Sequence, residues 1–201
     1  INIIFLFLNL INGFSLFSKK ITTPENNKIS ISGNGPPVLF SSGLFDSMPN
    51  FLYNNFLNNL KKNFTIISIN NNLPIYKSSQ IEDITDTLGV DKISYVSHSS
   101  FFPNILDTER INKGIFLDPI IIPGIGNRNI GNCIIDNKFP VLVIKAEKLY
   151  RGNGRLPDIQ SPIFDGELHE EFYDEVGHPD ILDDIWADFA KNFGLWEMTQ
   201  N

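Results

Sequence analysis

Ser94-Tyr95-Val96-Ser97-His98-Ser99-Ser100-Phe101-Phe102 is the stretch on which the reading of this chain turns. Tyr95 and Val96 continue an apolar run that opens at Ile93, and aromatic and β-branched residues bounded by small polar ones read as a strand. The run stops at Ser97. His98 and Ser99 follow at once, and an apolar stretch with helical spacing comes after. A strand that feeds a tight turn into a helix lifts a serine hydroxyl out of a sheet and presents it as a nucleophile. Ser99 is the residue presented in this way.

The same grammar extends in both directions. Upstream, Lys28 to Ser32 alternates weakly and predicts a short edge strand. Val38-Leu39-Phe40 is a short buried strand between Pro36-Pro37 and Ser41-Ser42-Gly43. Pro49 to Leu60 carries Phe51, Leu52, Phe56, Leu57 and Leu60 at helical spacing. Phe64 to Ile69 is rich in β-formers. Ser79 to Leu88 predicts a helix with Ile81, Ile84 and Leu88 on one face and Gly89 as its stop. Downstream, Phe102 to Ile111 predicts a helix with Pro103 in its first turn. Gly114 to Leu117 predicts a strand that runs into Asp118-Pro119, and Val141 to Ile144 predicts another. Phe172-Tyr173 is a short strand, and Pro179 to Phe193 closes the chain as a helix. Strands alternating with helices predict an α/β architecture, a mainly parallel sheet of about six strands flanked by helices. Ligands in such sheets lie at the carboxyl ends of the strands. Ser41-Ser42-Gly43, Ser97-His98-Ser99, Asp118-Pro119 and Ala146-Glu147 all fall just after strands, so they converge on one edge.

Bulk composition sets the limits within which this edge works. The chain has 201 residues, 42% hydrophobic and 19% charged, which fits one folded domain rather than a disordered chain. A net charge of −7 with scattered Lys and Arg argues against a nucleic-acid partner, which needs clustered cations. Cys133 is the single cysteine, so no intrachain disulfide forms. No CxxC pair or His-rich cluster points to a metal, and neither metal nor cofactor is expected. Ile1 to Phe17 is apolar without a charged side chain, shorter than a membrane span and suited to a signal-peptide core. Residues 1–27 are therefore expected to be a signal or targeting segment with a polar linker, and 28–201 a single domain with no stable membrane span.

A serine hydroxyl is a weak nucleophile at neutral pH and needs a base, which in turn needs an orienting acid. The chain has three histidines. His98 adjoins Ser99, so its side chain should point away from it. His169 sits in the acidic run Asp165 to Glu171, expected to be exposed. His178, in Glu175-Val176-Gly177-His178-Pro179-Asp180, falls in a loop at the mouth of the last helix and is the candidate base. Two acids compete for the third role. Asp118 ends one strand and is stiffened by Pro119, which should hold it extended. Glu147 follows the next strand and is the alternative acid. The backbone N–H of Ser100 and one from the loop at Gly43-Leu44-Phe45, taken as Leu44, are the candidate oxyanion donors.

Pro37-Val38-Leu39-Phe40-Ser41-Ser42-Gly43, Ser97-His98-Ser99-Ser100, Phe116-Leu117-Asp118-Pro119 and Gly177-His178-Pro179-Asp180-Ile181-Leu182-Asp183-Asp184 together resemble the α/β-hydrolase superfamily. The last two look most like chlorophyllases and related lipase-like esterases. The resemblance covers roughly Lys28 to Trp196. It implies an α/β-hydrolase-like domain with a small or absent lid, with Ser99 as nucleophile, Asp118 as acid and His178 as base. The departures are specific. Ser97 and Phe101 stand where the usual Gly-x-Ser-x-Gly elbow has its glycines, and Ser42-Gly43 replaces a His-Gly in the oxyanion loop. Two functions follow as expectations. One is hydrolysis of a hydrophobic ester, with Phe101, Phe102, Ile120, Ile121 and Ile122 near the mouth. The other is a non-catalytic domain that binds a protein partner in a larger assembly. The leader and Phe14-Ser15-Leu16-Phe17-Ser18-Lys19-Lys20 look similar to two-part plastid targeting segments of complex algae, which implies a plastid or another endomembrane-routed compartment.

Overall fold

The computed structural model describes residues 19–42, 56–69, 75, 77–100, 108–120, 134–135, 139–146, 163–164 and 168–173. In chain order these form β1 (Lys19–Thr22), β2 (Lys28–Gly33), β3 (Pro37–Ser41), β4 (Thr65–Ile69), helix α1 (Ser78–Leu88), β5 (Ile93–Ser100), β6 (Ile111–Ile120), β7 (Ile134–Ile135), β8 (Val141–Ala146), β9 (Ile163–Phe164) and β10 (Leu168–Tyr173). Residues 56–60 are also helical, within the helix expected from Pro49 to Leu60. The expected leader, the closing helix and residues 102–107 of the expected helix Phe102 to Ile111 lie outside the described residues. Among the described residues no helix is long and apolar enough to cross a membrane.

Eight strands make one sheet in the order β1-β2-β4-β3-β5-β6-β8-β10, and β7 pairs with β9 in a separate two-stranded ladder. From β4 to β10 every pairing is parallel, whereas β2 runs antiparallel to both its neighbours. The sheet is larger than the expected six strands at both margins. Lys19–Thr22, expected in the linker, is β1 and pairs residue for residue with Lys28–Ile31. It covers β2, which is therefore not the edge strand expected. At the far margin β10 starts at Leu168, ahead of the expected short strand Phe172-Tyr173, and so takes in His169.

Apolar runs in β3 to β8 are continuous because both faces of the sheet are covered. One face carries Leu39, Ile67, Tyr95, Phe116, Val141 and Val143 and packs against Ile81, Ile84 and Leu88 of α1. The other carries Val38, Phe40, Ile66, Val96, Ile115, Leu117, Leu142 and Ile144 and packs against Phe56 and Leu60. Side chains alternate between faces along a strand, so each run feeds both clusters. Each fully buried aliphatic side chain contributes about 1.5–3 kcal/mol relative to exposure.

Helix α1 follows its sequence signals closely. Ile81, Ile84, Thr85 and Leu88 share its buried face. Buried Thr85 satisfies its hydroxyl on the carbonyls of Ile81 and Glu82. At the N-terminus the Gln80 side-chain oxygen accepts from the Lys77 N–H at 3.2 Å. Gly89 ends the helix in the left-handed conformation, at φ 67°, where a side chain would be strained. A second turn is held closed from outside the helix. Gly35, at φ 134°, lies so near the Asn63 carbonyl that an added Cβ would fall 2.1 Å from its oxygen.

The turn between β1 and β2 is fastened to α1 by one buried carboxylate. Asp83 accepts from the Thr23 hydroxyl, from Asn27 Nδ2 at 2.6 Å and from the Glu25 N–H at 3.3 Å. Asn27 in turn donates its backbone N–H to Thr23 Oγ1 at 3.0 Å and accepts from Gln80 Nε2 at 3.3 Å. Asp83→Ala is expected to lower stability by about 3 kcal/mol in chemical denaturation, since the buried Thr23 and Asn27 donors lose a charged acceptor. By contrast the exposed Arg110–Asp86 pair, 2.7 Å apart, contributes little.

Two sequence expectations yield to sheet pairing. Thr108 to Arg110 is a turn, and β6 already starts at Ile111 rather than at Gly114. The apolar spacing that read as helix there is overridden because Ile111 pairs with Ile93 and Lys113 with Ser94. Asn112, left opposite no partner by that shift, accepts from the Ser94 hydroxyl at 3.1 Å.

Candidate functional site

The chain leaves β3 for β4 on one side and returns to β5 on the other. A crossover that reverses direction leaves a crevice at the carboxyl ends of the two strands concerned, which is where open α/β sheets bind ligands. Here those ends are Ser41-Ser42 on β3 and Ser99-Ser100 on β5.

Ser99 is partly exposed and has φ 67°. A left-handed serine costs about 1–3 kcal/mol and persists only where its surroundings hold it. What holds it is visible in the ladder. Ser97 pairs with Ser41 on one side and Phe116 on the other, and His98 pairs with Leu117. After His98 the register slips, so that Ser100 next pairs with Ile120, and Asp118 and Pro119 together stand beside Ser99. His98 is fully buried, in the row of residues that feeds the core.

Asp118 lies at the same irregularity on the adjoining strand. It is fully buried and has φ 49°. This corrects the expectation that Pro119 would hold it extended. The rule for a residue before proline disfavours the right-handed helical region, and the extra residue of β6 at the slip bends Asp118 into the left-handed one instead. Two non-glycine residues with positive φ thus face each other across β5 and β6 at one rim of the sheet.

β8 brings a further group to that rim. The β6–β8 pairing ends at Leu117 with Ile144, and Lys145 follows, only 9% exposed. A lysine closing the apolar run Val141-Leu142-Val143-Ile144 was a legible signal that the sequence reading passed over. Ser41, expected at this edge only as part of Ser41-Ser42-Gly43, does more: its Oγ accepts the Ile75 N–H at 2.9 Å and so ties residue 75 to the end of β3.

Of the sequence-predicted site residues, Ser99 and Asp118 are brought to neighbouring strand ends, and the backbone of Ser100 closes β5. Leu44, Glu147 and His178 lie outside the described residues. β8 ends at Ala146, immediately before Glu147, and β10 ends at Tyr173, in the segment leading to His178. A hydroxyl held in a strained turn, beside a buried carboxylate and at a switch point, can serve as a nucleophile once a base reaches it.

No protein-family model and no curated protein sequence matches the chain. Solved structures do. The naproxen esterase (carboxylesterase NP) of Bacillus subtilis is similar with a TM-score of 0.59 at 12% identity, over 97% of this chain and 97% of that one. The epoxide hydrolase CorEH is similar with a TM-score of 0.61 at 8% identity, over 92% and 99% of the two chains. Epoxide hydrolase A of Mycobacterium thermoresistibile gives 0.60 at 8%, over 89% and 97%. With its strand order, its reversal between β3 and β5 and these structural likenesses, the chain has the α/β-hydrolase fold.

Proposed function

We propose that the chain is a serine hydrolase that cleaves a carboxylic ester of a hydrophobic substrate, with Ser99 as nucleophile. The observation that carries this reading is the left-handed backbone of Ser99 at the carboxyl end of β5, beside the crossover reversal. In this reading Ser99 Oγ attacks the ester carbonyl carbon while His178 takes the hydroxyl proton. His178 then gives that proton to the leaving alkoxide, and an acyl-enzyme remains. Water gives a proton to His178 and attacks the acyl carbon; the carbon–Oγ bond then breaks, the carboxylic acid leaves, and His178 returns the proton to Ser99 Oγ. Asp118 orients His178 and stabilises its charged form, with Glu147 as the alternative acid. The N–H groups of Ser100 and Leu44 receive the oxyanion. The apolar residues Phe101, Phe102, Ile120, Ile121 and Ile122 favour an acyl or prenyl-like chain, in keeping with the likeness to chlorophyllases and with the esterase among the structural neighbours. The leader-like Ile1 to Phe17 fits a plastid or endomembrane home.

A second reading, a non-catalytic domain that binds a protein partner, is favoured by Phe101, a bulky residue where the elbow usually has glycine. A panel of p-nitrophenyl esters from butyrate to palmitate separates the two. The hydrolase reading expects kcat/KM to rise with acyl length by about tenfold or more, because each buried methylene is worth up to about 0.8 kcal/mol. A folded sample that turns over none of the esters above the buffer rate leaves the second reading.

A further inference from the structure

Asn63-Phe64-Thr65 leads into β4, and the hydrolase reading makes no use of it. The chain is rich in asparagine, yet only Asn63 is followed two residues on by serine or threonine. An Asn-x-Ser/Thr triplet is the acceptor for N-linked glycans in chains that enter the endomembrane system. It can carry a glycan only where the fold leaves room at the asparagine for a bulky polar group.

The fold leaves that room here. Asn63 is exposed in the turn that joins residues 56–60 to β4. Its backbone is held: the N–H donates to the Leu60 carbonyl at 3.0 Å, and its own carbonyl lies against Gly35. Its side chain makes no hydrogen bond among the described residues, so the amide has no partner to lose. The position also spares the site. Pro37 pairs with Thr65 and Val38 with Ser94, so Thr65 stands level with Ile93. From there to Ser99 the sheet advances about 20 Å, at roughly 3.3 Å per residue. A glycan on Asn63 therefore hangs from the amino-terminal edge of the sheet and leaves the Ser99 rim open.

The other two residues of the triplet say when the sugar must arrive. Phe64 is buried in the core with Leu60 and Ile66. Thr65 is buried too. Its N–H donates to the Pro36 carbonyl at 3.0 Å, and its hydroxyl donates to the Gly35 carbonyl at 2.8 Å. The hydroxyl in third place is part of what marks the acceptor, and in the folded chain it is covered and occupied. Transfer must therefore precede the pairing of β4 with β2 and β3.

We propose that Asn63 is an N-glycosylation site, modified while β4 is still unpaired. The co-substrate is an oligosaccharide carried on a lipid pyrophosphate. Asn63 Nδ2 forms a bond to the anomeric carbon of the first sugar and gives up a proton. The bond from that carbon to the pyrophosphate oxygen breaks, and the lipid pyrophosphate leaves with the electron pair. This rests on the endomembrane routing read from Ile1 to Phe17 and not on the hydrolase chemistry.

The test is cell-free translation of the full chain with microsomes, with and without a cleavable secretory leader fused ahead of Ile1. Mobility before and after peptide-N-glycosidase reads the glycan, and resistance to added protease reads entry. The fused chain is expected to be protected and to carry one glycan. Asn63→Gln and Thr65→Ala should each abolish it, and Thr65→Ser should keep it. Folded protein supplied to detergent-opened microsomes should stay unmodified. A protected chain without a glycan, or a glycan that survives Asn63→Gln, would overturn the site. Equal modification of the folded protein would overturn the order of events. The unfused chain reads the routing alone: if it stays outside the vesicles, the routing fails, and with it the modification in the cell, whatever the fused chain shows.

Discussion

Replacing Ser99 with alanine is expected to remove ester turnover while leaving the protein folded. In the proposed reaction the Ser99 hydroxyl supplies the attacking atom, and the described side chains that precede it in β5 are withdrawn from that geometry. His98 is fully buried within β5, and Ser97 is buried and paired between Ser41 and Phe116. Loss of a serine nucleophile costs roughly 10⁴-fold or more in kcat, and KM should change little, because in the proposed reading substrate binding rests on apolar contacts and not on the hydroxyl. The backbone adds a control. Alanine at φ 67° bears the same strain as serine, so Ser99→Ala should match the wild type in stability to within about 1 kcal/mol. Ser99→Gly relieves the strain and should be the more stable of the two by about 1 kcal/mol. A gain of stability on removal of a side chain is the mark of strain retained for function. Melting curves of the two variants read it directly.

The second large effect is expected at Asp118. It is fully buried at the end of β6, next to Ser99 across the register slip, in a backbone conformation that an ordinary strand residue avoids. If it orients His178, Asp118→Asn should lower kcat by about 10³–10⁴-fold, because the amide favours the wrong imidazole tautomer and cannot stabilise the imidazolium. Glu147→Gln should then cost less than about tenfold. The reverse ranking would assign the acid to the end of β8 and leave Asp118 with a structural role at the bend. Both substitutions are nearly isosteric, so a comparison of kcat at matched stability decides between them.

How legible these features were depends on which physical term dominates at each position. Helix α1 was readable because its local signals agree: Ile81, Ile84 and Leu88 at helical spacing, and a glycine in the left-handed conformation at its end. The central strands were readable because burial on both faces makes them uninterrupted apolar runs. β1 was not, because Lys19-Lys20-Ile21-Thr22 sits at the margin, largely exposed, and gains its strand conformation from pairing with β2. The start of β6 was misread because Ile111 satisfies a helical period while its actual partner, Ile93, is distant in the chain. The place of Ser99 at the end of β5 was legible because the stop of an apolar strand at small polar residues is written locally. The left-handed turn of Asp118 was hidden, since the proline rule speaks only of its neighbour and the register slip involves another strand. Lys145 was passed over although it ends an apolar run, and the tie between Ser41 and residue 75 was hidden because nothing in the segment around Ser41 points to residue 75.

The most direct test is to treat the folded protein with a fluorophosphonate and to locate the adduct by peptide mass spectrometry. Such a probe phosphonylates an activated serine oxygen and loses fluoride, so it reads nucleophilicity apart from substrate preference. A single adduct on Ser99, absent after Ser99→Ala and slowed by His178→Ala, is the expected result. A folded protein that stays unmodified at Ser99, or that is modified at another serine instead, would contradict the assignment of Ser99 as the nucleophile.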